Sequence, residues 1–309
     1  MTPTPAGARI GGDLYRAEPE PAPDSGALRD RATAAAVRAA RAAHVEIRQL
    51  HTLDEVSEVC KLLDGIWQVD SANPMMLPEL LMVLAHAGGY VAGTYEGDRL
   101  TGACVALLAT DGLHSHIAGV DVRSRGREVG HALKVHQRAW CLDRGITRIS
   151  WTFDPLVGRN AFFNLAKLGA VPAEYLVDFY GRLTDAFNAG DHTDRLLVRW
   201  DLTAPGVALA CEGIPQPVDD AAAPGEEGVA VALDVGADGR PVLGRTDADV
   251  VIVRVPRDID ALRRTDTDAV LSWRLAVREV LGGLMGEGRV VRGFGRLGGY
   301  VVDRRRDGD

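Results

Sequence analysis

Two histidines at alternate positions, an arginine- and glycine-bearing turn, and two arginines one helical turn apart are the residues here whose spacing could do chemistry. His114 and His116 flank Ser115 in an apolar run, so a strand there places both imidazoles on one face with Ala118, Val120 and Val122. Imidazole titrates near neutral pH, which makes His116 a candidate general base, acting directly or through a water. A strand histidine satisfied by packing and a backbone partner reads the same way. Asp154, just after "RISWTF", is a second acid–base candidate and equally suits a turn before Pro155. The segment "GVDVRSRGREVGHALKVHQRAW" passes from an apolar strand pattern through Arg123, Arg125, Gly126 and Arg127 into a helix pattern. A helix that starts at such a turn exposes several unbonded backbone N–H groups and the positive end of its dipole, a place for an anion. A solvent-exposed connection with surface arginines has the same composition. Arg274 and Arg278, beside Trp273, could form a fork for a carboxylate or could pair with Glu279 and nearby aspartates.

The elements that must hold these groups follow from periodicity. Residues 1 to about 26, rich in Pro, Ala, Gly and Glu, read as a loosely held segment, and "ALRDRATAAAVRAARAAH" as an Ala-rich helix, giving an N-terminal portion 1–44. A core over 45–202 begins with the strand "VEIRQL", a helix from Thr52 to about Trp67 with a capping box at Thr52 and Glu55, and a second helix in "LPELLMVLAHAG". Three strands joined by hairpins at "EGD" and "TDG" lead into the arginine-glycine turn, and the helix after it stops at Gly145. The strand "RISWTF", the loop "DPLVGRN", the short helix "AFFNLAKLGA" and the strands "EYLVDFYG" and "RLLVRWDL" complete the core. Residues 203–248 read as a connector with a hairpin about Asp238-Gly239, and 249–309 as a strand, a helix and a closing hairpin.

Composition narrows the function. With 309 residues, 46% hydrophobic and 25% charged, the chain can build one large or two modest cores. A net charge of −8 argues against a general nucleic-acid binder, since phosphate binding rests on excess Lys and Arg. Cys60, Cys104, Cys141 and Cys211 show neither metal-ligand spacing nor a disulfide framework, so no metal is expected and a reducing cytoplasm fits. The opening "MTPTPAGARIGGDLY" lacks a basic segment followed by an apolar one, and no apolar run approaches a bilayer span, so neither secretion nor membrane insertion is expected. A Walker loop and a Rossmann glycine turn are both absent from the sequence.

The element order, together with the turn after the fourth strand, resembles the GNAT superfamily of CoA-dependent N-acyltransferases from about Val45 to Leu202. The family turn, Gln/Arg-x-x-Gly-x-Gly/Ala, can be laid on Arg125-Gly126-Arg127-Glu128-Val129-Gly130 or, two residues later, on Arg127 to Ala132. The first register is preferred; it keeps the strand-to-turn distance and puts Glu128 where the family has a glycine. "SHIAGV", "WTFDPLVGRNAFFNLAKLGA", "YLVDFYG", "DRLLVRWDL", "RVPRDIDALR" and "WRLAVREVL" are similar to a longer, two-part subgroup that includes amino-acid N-succinyltransferases. The resemblance implies an α/β fold, a mixed, mostly antiparallel sheet flanked by helices with a smaller C-terminal α/β extension. It also implies acetyl-CoA or succinyl-CoA as donor, CoA as product and a small amine, an amino acid or a derivative, as acceptor; a homodimer is compatible with it.

By the same resemblance Val120, Asp121, Val122, Arg125, Gly126, Arg127, Glu128, Val129, Gly130 and His131 would hold the CoA pyrophosphate and oxyanion end. Asn160, Asn164 and Lys167 would flank the pantetheine arm, although capping and solvation account for them as well. His116 and Asp154 would serve the amine, Tyr175 and Tyr180 would line the acceptor pocket or pack, and Arg274 with Arg278 would hold an acyl or acceptor carboxylate. Leu165 stands where many members carry the tyrosine that protonates the departing thiolate. That departure, with Glu128, leaves a non-catalytic CoA-binding module or a partner-binding scaffold as alternatives.

Overall fold

A computed structural model describes residues 25–69, 74–181, 192–221 and 227–304. The loosely held segment expected at the N-terminus falls, up to residue 24, outside the described residues, as do residues 222–226 of the connector. The Ala-rich stretch forms α1 (Ser25–Ala42), followed by β1 (Glu46–Gln49). Thr52 caps α2 (Leu53–Trp67): its hydroxyl accepts from the Glu55 amide at 3.4 Å, and the Glu55 carboxylate accepts from the Thr52 amide at 3.0 Å. This reciprocal pair satisfies donors that a first helical turn leaves open. Proline at the first position opens α3 (Pro78–His86), where its missing N–H costs nothing. Then come β2 (Tyr90–Glu96), β3 (Arg99–Ala109) and β4 (Gly112–Val120), antiparallel neighbours in chain order. After the arginine-glycine turn, α4 (Val129–Asp143) ends just before Gly145, which takes the left-handed φ of +71° that closes a helix.

Beyond β5 (Arg148–Phe153), α5 begins earlier than "AFFNLAKLGA", at Gly158–Ala161, and continues as a π-helical stretch, Phe162–Lys167. Strand β6 (Val171–Leu176) also begins earlier than its sequence pattern, because Pro172 disguises it. Proline is tolerated there since β6 is an edge strand, with an irregularity in its pairing between Pro172 and Glu174. Strand β7 (Arg195–Asp201) lies between β5 and β6. The supposedly irregular "TAPGVALAC" forms α6 (Pro205–Cys211), a short helix that buries Val207, Ala210 and Cys211.

The sheet order is β1-β2-β3-β4-β5-β7-β6, antiparallel throughout except for β4 with β5. The hairpin of β8 (Val229–Val235) and β9 (Pro241–Leu243) joins β10 (Val250–Arg254), β11 (Val290–Phe294) and β12 (Gly299–Asp303) in a second sheet, order β11-β12-β10-β8-β9. Between β10 and β11 lie α7 (Ile259–Thr265), missed in the sequence, and α8 (Thr267–Val277), capped by Asp258 and Asp266. From α8 the helical path runs on through a π-helical stretch, Arg278–Gly282, to Gly286.

The fold is therefore mixed α/β, a mostly antiparallel sheet flanked by helices, with a second α/β layer. One apolar core joins the two layers: Leu133, Trp151 and Trp200 belong to the same buried cluster as Val253, Trp273, Phe294 and Tyr300. Each such fully buried side chain contributes about 1.5–3 kcal/mol. A second cluster, with Val56, Leu63 and Leu81 against Val91 and Val105, seats α2 and α3 on the opposite face of the first sheet. No helix among the described residues is long and apolar enough to cross a membrane.

Candidate functional site: a fork between two parallel strands

Strands β4 and β5 pair at Leu113 with Ile149 and at His114 with Ser150, and their register ends there. Both strands continue, β4 to Val120 and β5 to Phe153, so they part like the arms of a fork. Strand edges that part carry N–H and C=O groups in need of a partner. An irregularity in β4 lies beside the parting point: Val105 pairs with Ile117 and Ala106 with Ser115, leaving His116 as the extra residue. Directly opposed residues share a face, so the bulge puts Ala118, opposite Cys104, on the face of Ser115, opposite Ala106. The expectation that His114, Ala118 and Val120 line one face is thereby corrected. A single inserted residue inverts the alternation.

At the far end of β4, Asp121 accepts from the Arg123 amide at 3.0 Å and pairs with the Arg123 and Arg99 guanidinium groups at 2.8 and 3.3 Å. Arg127 pairs with Glu96 at 2.7 Å. Val122 and Arg125 are exposed, and the Arg125 Nε only grazes the Val120 carbonyl, at 3.5 Å. Gly126 and Glu128 take positive φ, +76° and +60°, and so turn the chain into α4. Among the described residues, the backbone N–H groups of Gly126 to His131 meet no acceptor. Six such donors at the start of a 15-residue helix make a candidate anion cradle.

The Glu128 carboxylate does not stand free in that cradle. Its Oε1 accepts from Lys167 Nζ at 2.6 Å, joining the start of α4 to the π-helical stretch. The His131 side chain turns away, its Nε2 3.2 Å from the Ala210 carbonyl oxygen, so only its backbone can serve the cradle. Asn160 is exposed whereas Asn164 is buried. Spaced one turn apart in a regular helix, they are separated here because the π-helical stretch widens the turn.

On the other side of the fork, His114 Nδ1 lies 3.2 Å from Ser150 Oγ. Burial lowers the His114 pKa, with His116 and then Lys134 adding to the effect, and burial alone lowers that of His116. Both imidazoles are therefore biased toward the neutral form, the one that can accept a proton. Thr152, two residues after Ser150 on the same face of β5, has its Oγ1 3.5 Å from Tyr180 Oη. The Arg195 guanidinium sits 5.2 Å from the centre of the Tyr180 ring.

Asp154 is not the acid–base group that its place suggested. Its carboxylate takes a two-point bond from Arg274, at 2.6 and 2.9 Å, and a third from Arg263 at 2.6 Å. Burial raises its pKa, but Arg274 and Arg263 more than reverse that and hold it well below the usual carboxylate range. Arg274 is accordingly no free fork. Arg278 is likewise engaged, by Asp194 at 2.6 and 2.9 Å, and Tyr175 Oη donates to the same carboxylate at 2.8 Å. Tyr175, Arg274 and Arg278 thus fasten the second layer to the first instead of facing the fork.

Ser115 and Lys134 are placed at the fork, and Arg195 beside the Tyr180 ring, without having been singled out from the sequence. Arg195 sits one residue beyond Asp194 and reads as a strand's first residue. Lys134, Gln137 and Cys141 recur at i, i+3 and i+7 on the buried face of α4, a stripe in which a lysine is the detectable anomaly. A separate surface cleft lined by Gly169, Val171, Pro172, Arg199 and Val207 holds none of these groups.

No family model matches the chain, and no curated protein matches it. Among solved structures it is similar to a ribosomal-protein-S18-alanine N-acetyltransferase from Escherichia coli, at 15% identity and a TM-score of 0.42, over 52% of this chain and 96% of that one. An N-acetyltransferase from Staphylococcus aureus Mu50 is similar at 12% identity and a TM-score of 0.43, over 52% of this chain and 99% of that one. A GNAT family acetyltransferase from Elizabethkingia anophelis with acetyl-CoA bound is similar at 12% identity and a TM-score of 0.41, over 51% of this chain and 98% of that one.

Proposed function

We propose that the protein is an acyl-CoA-dependent N-acyltransferase that acts on a small amine carrying a carboxylate, an amino acid or a derivative. The observation that carries this reading is the continuity of the β4–β5 fork with the anion cradle at the start of α4. An extended, amide-bearing arm could satisfy the strand edges inside the fork while its pyrophosphate sits on the amides of Gly126 to His131. Arg125, whose Nε reaches the Val120 carbonyl, and Lys167, bound to Glu128, would supply positive charge beside that cradle.

The amine would approach from the face that holds His114, Ser150, Thr152 and Tyr180. His116, at the bulge, would take the proton that the amine nitrogen must lose, and Arg195 would receive the acceptor carboxylate. With Arg274 and Arg278 bound to Asp154 and Asp194, nothing in that pair favours a dicarboxylic acyl group, so a short neutral acyl group such as acetyl is the donor of choice. A non-catalytic CoA-binding module is the second reading; it is favoured by the buried Leu165 in the tyrosine place. Thiol release from acetyl-CoA, followed with and without each amino acid, separates the two. Amine-dependent release supports the transferase, whereas CoA binding with no release under any amine supports the module.

A further inference from the structure

A lysine is buried where the two strands part. Lys134, on α4, is only 4% exposed. Its Nζ donates to Ser115 Oγ at 3.1 Å and to Gln137 Oε1 at 2.6 Å. The ammonium also lies 3.9 Å from the centre of the Trp151 ring and 5.6 Å from that of Trp200. Ser115 and Trp151 are the residues immediately beyond the last β4–β5 pair, His114 with Ser150. Lys134 therefore touches the first unpaired residue of each arm of the fork, from the face that α4 covers.

The groups facing this ammonium are Cys104 from β3, Cys141 from its own helix and Cys211 from α6, with His114 of β4 within electrostatic reach. All three cysteines are free and buried, and burial raises their pKa by more than the Lys134 charge lowers it, which keeps them thiols at neutral pH. Among the described residues no carboxylate pairs with Lys134. Burying an ammonium on two hydrogen bonds and two ring faces is costly, and an apolar side chain would fill the space without that cost. Burial lowers the lysine pKa to about 8. A free alkyl thiol titrates at about 8.5, so donor and leaving group would be matched. Leu165, only 3% exposed, has no proton to give.

We propose that Lys134 supplies, through the Ser115 hydroxyl, the proton taken up by the thiolate that departs during acyl transfer. The proposal rests on the acyltransferase reading. The amine nitrogen bonds to the thioester carbonyl carbon, the carbon–sulfur bond breaks and its electron pair goes to sulfur. Sulfur takes the Ser115 hydroxyl proton while Ser115 takes one from the Lys134 ammonium. Neutral Lys134 regains a proton from water, and the proton lost by the amine leaves through His116, so no further reactant is consumed. Lys134 is a positioning and proton-supplying residue behind Ser115, not one that touches the substrate.

The test uses the full chain with Lys134→Met, Lys134→Arg, Ser115→Ala and Ser115→Thr. Without any acyl-CoA, tryptophan fluorescence should show an inflection near pH 8 that Lys134→Met abolishes, because the charge beside Trp151 and Trp200 is what titrates. Because the donor must be protonated, kcat for thiol release should fall as pH rises through that value. Lys134→Arg should carry this fall well above pH 10, since arginine stays charged to about pH 12 and beyond. Lys134→Met and Ser115→Ala should each lose about a hundredfold in kcat with KM for acetyl-CoA unchanged, and Ser115→Thr should recover most of the loss. With an aryl thioester, whose acidic thiol leaves unprotonated, the loss should shrink about tenfold or more. Unchanged kcat and pH limb in the Met and Ala variants, or an equal loss with both thioesters, would overturn the proposal while leaving the acyltransferase reading standing. A parent protein that neither binds CoA nor releases thiol would remove both. Should Lys134→Met fail to fold, Lys134→Arg and Ser115→Ala decide by the same readouts.

Discussion

Arg274→Ala should destabilise the protein by about 3 kcal/mol, the lower end of the loss expected when one partner of a buried ion pair is removed. The guanidinium is 1% exposed and binds both oxygens of Asp154, so its removal strands a carboxylate at the end of β5. Arg263 keeps one bond to that carboxylate, which is why the upper end of the range is not reached. The sign with pH is fixed. The folded pKa of Asp154 lies below its unfolded value of about 3.9, so the pair's contribution is fully present above that pH and disappears as pH falls through the folded value. Urea unfolding of parent and variant measures the difference: about 3 kcal/mol at neutral pH, shrinking in acid. A loss below about 1 kcal/mol, the range of exposed pairs, would mean that the two layers are not held here.

His116→Ala should lower kcat for thiol release by about a hundredfold, in the range for one general base, while the affinity for CoA stays within about twofold. The residue sits at the bulge next to the parting strands, and its lowered pKa keeps it neutral at the pH of assay. In the parent, kcat should rise with pH through the His116 pKa, since only the neutral imidazole accepts the proton, and the variant should lack that acidic limb. Equal turnover of parent and variant between about pH 6 and 9, across the range where an unperturbed histidine loses its charge, would remove His116 from the reaction.

Local signals carried most of the first layer. Thr52 and Glu55 announce the start of α2 because a capping box is written in adjacent residues, and Gly145 announces the end of α4 because only a left-handed residue closes it. What escaped was of two kinds. Some of it was a change of one residue in a regular pattern: the bulge at His116 and the π-helical stretch after Ala161 have no compositional mark, yet each changes which side chains share a face. The rest was pairing over long separations. Asp154 and Arg274 lie 120 residues apart and meet only after both sheets have formed, so neither residue's neighbours in sequence reveal that each neutralises the other. Tyr175, Asp194 and Arg278 repeat the pattern. The arginine-glycine turn was legible as the entry to α4, but the pairing of Glu128 with Lys167 was not.

The central claim is that the β4–β5 fork and the start of α4 together receive CoA, and amide hydrogen–deuterium exchange with and without millimolar CoA tests it most directly. The result predicted is protection confined to two stretches, the amides of residues 126–131 and the edges of β4 and β5 beyond His114 and Ser150, with α7 and α8 unaffected. Unchanged exchange in both stretches at millimolar CoA, or protection that appears only in the second layer, would contradict it.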